Sequence, residues 1–203
     1  MKADSNSKAK ADGLIFIEKK YSLDLDRHSP VRRIMGIYHY KIELLPREYF
    51  HGNPLVAPLS EDDIDQGQND SSGWWAKHPP SEQLVASIRS LLPIDQSWGD
   101  TEEFVSAGDW HSDVRIWKND NRIWSIHFRF SPVADRWPLM QRFVAIARDN
   151  QCFLLEFASG LVFEPDEKIV QEKFAASKAM RFVRDPAGTI VSTANEIREN
   201  EEN

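Results

Sequence analysis

Cysteine is all but missing from this chain: among 203 residues there is one, Cys152. That excludes an internal disulfide framework and any zinc site built on two to four thiolates, and it makes a reducing compartment the natural setting. Long apolar runs are missing as well. No stretch approaches the ~18 continuous apolar residues of a membrane span, and residues 1 to 13 mix Lys, Ala, Asp and Ser without the apolar core of a leader peptide. The expected location is the cytoplasm. Glycines number 9 and are scattered, so none of their spacings matches a nucleotide-binding loop. Positive charge is in deficit, with 25 Lys and Arg against 32 Asp and Glu and a formal net charge of -7. Nucleic acid and anionic membranes are both met through basic patches, so neither is an expected partner. A basic protein is one, because opposite potentials steer association.

The chain is rich in the material of a core: 41% of it is hydrophobic, with 7 Trp and 11 Phe. A wholly disordered or collagen-like chain is thereby excluded, and the lack of a fixed-period repeat excludes a solenoid. Residues 1 to 13 read as a disordered lead, and Leu14 to Ile17 as a short strand. From Ile34 to Leu45, Ile34, Tyr38, Tyr40, Ile42 and Leu44 share one face, while His39, Lys41 and Glu43 share the other. That is a half-buried strand, ended by Pro46. Residues 47 to 80 form an acidic loop too long to be a mere connector. Helical spacing returns from Ser81 to Leu92, a short strand follows at Glu103 to Ser106, and then a hairpin of Asp113 to Lys118 and Arg122 to Phe130 turns at Asn119-Asp120-Asn121.

In that hairpin Val114, Ile116, Trp124, Ile126, Phe128 and Phe130 form the apolar face, and Arg115, Ser125, His127 and Arg129 the polar one, with Trp117 as an apolar exception. A helix from Arg136 to Asp149, strands at Cys152 to Phe157 and Leu161 to Phe163, and a last helix from Pro165 and Asp166 to Val183 complete the domain. Asp185-Pro186 stops that helix, and 187 to 203 reads as a disordered acidic tail. The order defines one α+β domain over 14 to 186: a single antiparallel sheet of five to six strands with helices packed on one face.

Candidate chemistry is sparse. Asp63-Ile64-Asp65 opens like a calcium loop, but Gly67 comes a position early and no Glu closes it. Asp109, His111 and Asp113 alternate on one strand face, yet no second His follows at ligand spacing, so no metal is expected. Ser159-Gly160 lacks the frame of a nucleophile elbow, and Cys152 at the head of an apolar strand reads as a core residue. No cofactor is expected either. Two sites remain. One is the acidic loop, where Glu61, Asp62, Asp63, Asp65 and Asp70 precede the adjacent Trp74 and Trp75; carboxylates there would attract a basic partner and exposed indoles would anchor it, unless the pair instead caps the core. The other is the polar sheet face, where His39, Glu43, Arg115, His127 and Arg129 would converge if the Ile34 strand neighbours the hairpin. Such a set could hold a small anion or relay a proton, or it could be the solvated face of an antiparallel sheet.

Trp98-Gly99 entering a strand, the hairpin ending in Ile126 to Arg129, and a closing helix with Ser177, Ala179, Arg181, Phe182, Val183, Asp185 and Pro186 resemble small bacterial cytosolic α+β proteins of the toxin-immunity type. The resemblance spans roughly residues 34 to 186 and carries over no catalytic residue, and the 47 to 80 loop departs from the compact pattern. It implies a protein-binding module that occludes a basic partner such as a toxin. The alternative is an enzyme acting on a small anionic substrate across the polar sheet face.

Overall fold

The computed structural model describes residues 39–52, 57–69, 71–95, 97, 99–107, 111–132 and 137–201. The expected lead, the Leu14 strand, the start of the Ile34 strand, Asp70, Trp98 and Asp109 lie outside them. The chain divides into two units: Tyr38–Arg184 holds the sheet, and the C-terminal helix belongs to the other.

The sheet has six antiparallel strands in the order β2-β3-β4-β1-β5-β6. These are β1 Tyr40–Pro46, β2 Thr101–Val105, β3 Asp113–Asn119, β4 Arg122–Phe130, β5 Cys152–Glu156 and β6 Leu161–Phe163. The α+β class holds, and β1 does neighbour the hairpin, pairing with β4 on one side and β5 on the other. The β3–β4 turn works because Asp120 and Asn121 adopt φ of 47° and 64°, the left-handed pair that matches strand twist. One expectation fails in β4. The register shifts at Trp117/Lys118, where Trp117 faces Ser125 but Lys118 faces Ile123, leaving Trp124 without an opposite residue. This bulge reverses the alternation. Ile123 turns to the core, and Trp124 turns to the polar face against Trp117, ring centroids 5.7 Å apart.

One face carries the main core. Ile42, Leu44, Ile116, Ile126 and Phe128 are fully buried there beneath α3 (Glu82–Arg89), α4 (Trp137–Asp149) and α5 (Glu167–Ala176), which contribute Leu84 and Ile88, Phe143 and Val144, and Val170. Each such side chain is worth about 1.5–3 kcal/mol of burial. The last helix predicted within the domain is broken in two. Ser177 is extended (φ -65°, ψ 157°), its hydroxyl accepts the amide of Met180, and α6 (Lys178–Arg184) starts there. A capping serine in mid-pattern thus ends one helix and opens the next.

The tail reading from 187 onward is corrected by α7, Pro186–Glu201. Asp185 accepts the amide of Gly188 at 3.0 Å as its N-cap, and Pro186 takes the first helical position, where a missing amide costs nothing. Its residues lack a marked apolar stripe, which is why the sequence concealed it.

The described residues between 47 and 80 form a cover with two short helices, α1 (Glu61–Gly67) and α2 (Trp74–Lys77), after a 3-10 turn at Arg47–Phe50. Ser60 and Asp63 make a reciprocal capping box that starts α1. Ile64 and Trp74 join Leu45, Phe153, Leu155 and Val162 in a second, smaller core on the sheet face opposite the main one. The cover is tied down at its start by the amide of Leu59 on the carbonyl of Gly160, 2.8 Å. Gly160 is required there, since its φ is +67° and a Cβ would stand 2.2 Å from the Leu59 oxygen.

Candidate functional site

Register alone assembles the polar face. Glu103, Arg115, His127, Glu43, Leu155 and Val162 form one row across all six strands, and Val105, Asp113, Arg129 and Lys41 form the next. The face is therefore ionic over β2, β3 and β4 and apolar over β5 and β6, with β1 as the seam. Arg115, His127, Arg129, Glu43 and His39 do come together as the sequence suggested.

They do not form the open, solvated surface expected. Asp113 is fully buried and takes both carboxylate oxygens to Arg129 Nε at 2.9 and 2.8 Å, with Arg115 Nε 3.2 Å from Oδ1. Arg115 also donates twice to Glu103 Oε1, at 2.9 and 2.6 Å. Asp113, offered with His111 as a metal ligand, is thus consumed by two guanidinium groups. Among the described residues no group of three or more His, Cys, Asp or Glu could hold a metal ion. His39 donates from Nε2 to the carbonyl of His111 at 3.2 Å, and burial, with Arg129 beside it, lowers its pKa to about 4.

At the seam lies a chain of hydrogen bonds that reaches from β3 to the cover. Trp117 donates from Nε1 to His127 Nε2 at 3.4 Å, so the imidazole proton sits on Nδ1, 3.5 Å from Ser125 Oγ. The Ser125 hydroxyl donates to Glu43 Oε1 at 2.7 Å, and Gln68, just past α1, donates to Glu43 Oε2 at 2.6 Å. Both ionisable members favour their neutral forms. Burial first, then the charges of Lys41, Arg115 and Arg129, hold His127 well below the ordinary histidine value. Burial raises Glu43 to about 8, against the opposing pull of its two hydrogen bonds.

Sequence reasoning missed Gln68 and Glu103. Alternation with buried Phe104 could have assigned Glu103 to this face. Nothing local marks Gln68, whose partner is 25 positions away.

The acidic loop is divided by the fold. Glu61, Asp62, Asp63 and Asp65 are exposed along α1, and Asp63 is held below the usual carboxylate range by Ser60, its capping partner. Trp74 and Trp75 are 2% and 3% exposed, which removes them as partner anchors. They wedge where β1 and β4 part beyond the Glu43–His127 pair, one indole in each core, and Trp75 Nε1 donates at 3.1 Å to the carbonyl of Leu44. That bond satisfies a strand carbonyl which β4 has left. Gly67 is the floor beneath Trp74, as a Cβ there would lie 2.0 Å from the indole.

Cys152 is buried, and burial pushes its thiol up to about 12, far from a nucleophile's range. The Ser159 hydroxyl donates to Glu156 at 2.5 Å within its turn. Among the described residues no helix is long and apolar enough to cross a membrane. Comparison with family models, curated proteins and solved structures gave no match.

Proposed function

We propose that the protein is a binding module of the immunity type, which presents α1 to a basic protein partner. The observation that carries this reading is the way α1 is held. Its carboxylates face outward, while its other side is fixed by the capping box, by Ile64 in the smaller core and by the Trp74 indole on Gly67. Gln68, directly after it, is bonded to Glu43. Asp62 and Asp65 form no ion pair with any described residue, so their field is directed at solvent. Charges on a pre-organised element attract a cationic surface without the ordering cost of a free loop. An enzymatic reading of the polar sheet face fits less well, because its carboxylates and guanidinium groups bond one another and a substrate would have to displace them.

The test is capture of a partner from the source cell, followed by binding kinetics at two salt concentrations. Asp62→Lys with Asp65→Lys should lower the on-rate at least tenfold at low salt and flatten its salt dependence, with the melting temperature unchanged. An on-rate indifferent to both substitutions would move the interface away from α1.

A further inference from the structure

We propose that Glu43 is a proton-controlled latch for α1: when neutral it holds the helix closed on the sheet, and when it ionises the helix lifts so that the carboxylate reaches water. This adds regulation to the acidic surface described above, and only its consequence for a partner rests on that reading.

The geometry supplies both parts of a latch. Glu43 is fully buried in the middle of β1, yet its outer oxygen is covered from the α1 side by the Gln68 amide. Gln68 also closes the C-terminus of α1, its own amide bonding the carbonyl of Ile64 at 2.9 Å. What touches Glu43 therefore touches the end of the helix.

The charged groups around it give an ionised Glu43 no counter-ion. From β4 come His127, which is neutral, and Arg129, which is bonded to Asp113. From β3 comes Arg115, which is bonded to Glu103. From β1 itself comes Lys41, whose Nζ lies 5.8 Å from the Phe157 centroid. β5 presents Leu155, and the Lys77 of α2 lies over Tyr49. Glu43 has two hydrogen bonds but no ion-pair partner among the described residues. A charge placed there is relieved most easily by moving the cover. α1 buries one large side chain, Ile64, whereas parting β1 from β4 would expose the main core, so the local opening comes first. Burial of the acid, which raises it to about 8, sets the range over which this occurs.

The experiment is native-state hydrogen exchange on the full chain between pH 5 and 9, expressed as protection factors so that the intrinsic pH dependence of exchange is removed. The Ile64 and Gln68 amides should lose about tenfold protection per pH unit up to about pH 8 and then level off, as release of a single proton requires. The β4 amides, freed only when the main core opens, should stay far better protected than those of α1 at every pH, even where the same proton lowers both. Glu43→Gln should make the α1 amides independent of pH. Gln68→Leu keeps the acid but removes a bond that favours its ionised form, so the levelling point should move to higher pH. The latch is overturned by α1 protection that is flat in the wild type, by β4 amides no better protected than those of α1, or by an unmoved levelling point in Gln68→Leu should Glu43→Gln not fold. Charge reversal on α1 judges the binding surface and exchange judges the latch, so either can fail alone.

Discussion

Phe128 and Trp124 sit an even number of positions apart on β4, and simple alternation would give them the same face. The bulge separates them. Phe128 is fully buried and stacks on Phe143 with centroids 4.8 Å apart, whereas Trp124 lies half-buried against Trp117 on the other side of the sheet. Phe128→Ala should cost about 3–5 kcal/mol, the range for a large aromatic removed from a close-packed core. Trp124→Ala should cost clearly less, since part of its ring already meets solvent and its indole nitrogen has no hydrogen-bond partner among the described residues. Urea unfolding of the two variants decides the matter; equal losses would mean that the bulge is misplaced. The sequence could not show this shift, because a one-residue slip leaves composition and spacing intact and is visible only in pairing.

Whole elements divide by how much apolar periodicity they carry. The strands and α3 and α4 were legible because Ile42 and Leu44, or Phe143 and Val144, recur at the period of their element. The meeting of His39, Glu43, Arg115, His127 and Arg129 followed once β1 was placed beside the hairpin. Helix α1 was not legible, since Ile64 is its only large buried residue and periodicity cannot be read from one position. The Ser60 and Asp63 pair was the available signal, and it was masked by the run of acidic and turn-forming residues around it. Gly67 now gives α1 a sharp test. Gly67→Ala places a methyl against the Trp74 indole, which α2 holds in the smaller core. An overpacking cost of about 1–3 kcal/mol is expected despite alanine's better helix propensity, read as a drop in urea midpoint with unchanged slope. A stabilised variant would show that α1 does not press on Trp74.

For the molecule as a whole, two glutamates set opposite limbs of stability against pH. Glu102 is held down to about 2 by hydrogen bonds from Arg89 and, after burial has opposed them, from Lys118. Its contribution is complete above the ordinary value of 4.5 and is lost as pH falls toward 2. Glu43 is raised from that value to about 8, so the fold binds its proton more tightly, and the contribution present below 4.5 is lost as pH rises to about 8. Glu102→Gln should flatten the acid limb of unfolding free energy and leave the alkaline limb alone. An unchanged acid limb in urea titrations from pH 2 to 6 would contradict the pairing with Arg89.

The place of β1 in the sheet has one more consequence, for how the chain reaches this state. β3 and β4 are joined by a tight turn, and so are β5 and β6, so each pair can zip from its own loop. β1 must find both from a distance; Glu43 and Ser125, for example, are separated by 82 positions. Until it arrives there are two half-sheets and no continuous one. Closing loops of that length is slow relative to forming hairpins. Insertion of β1 is thus the natural rate-limiting step of folding, and its two exposed slots, on β4 and β5, are the edges at which a half-folded chain would pair with another copy of itself.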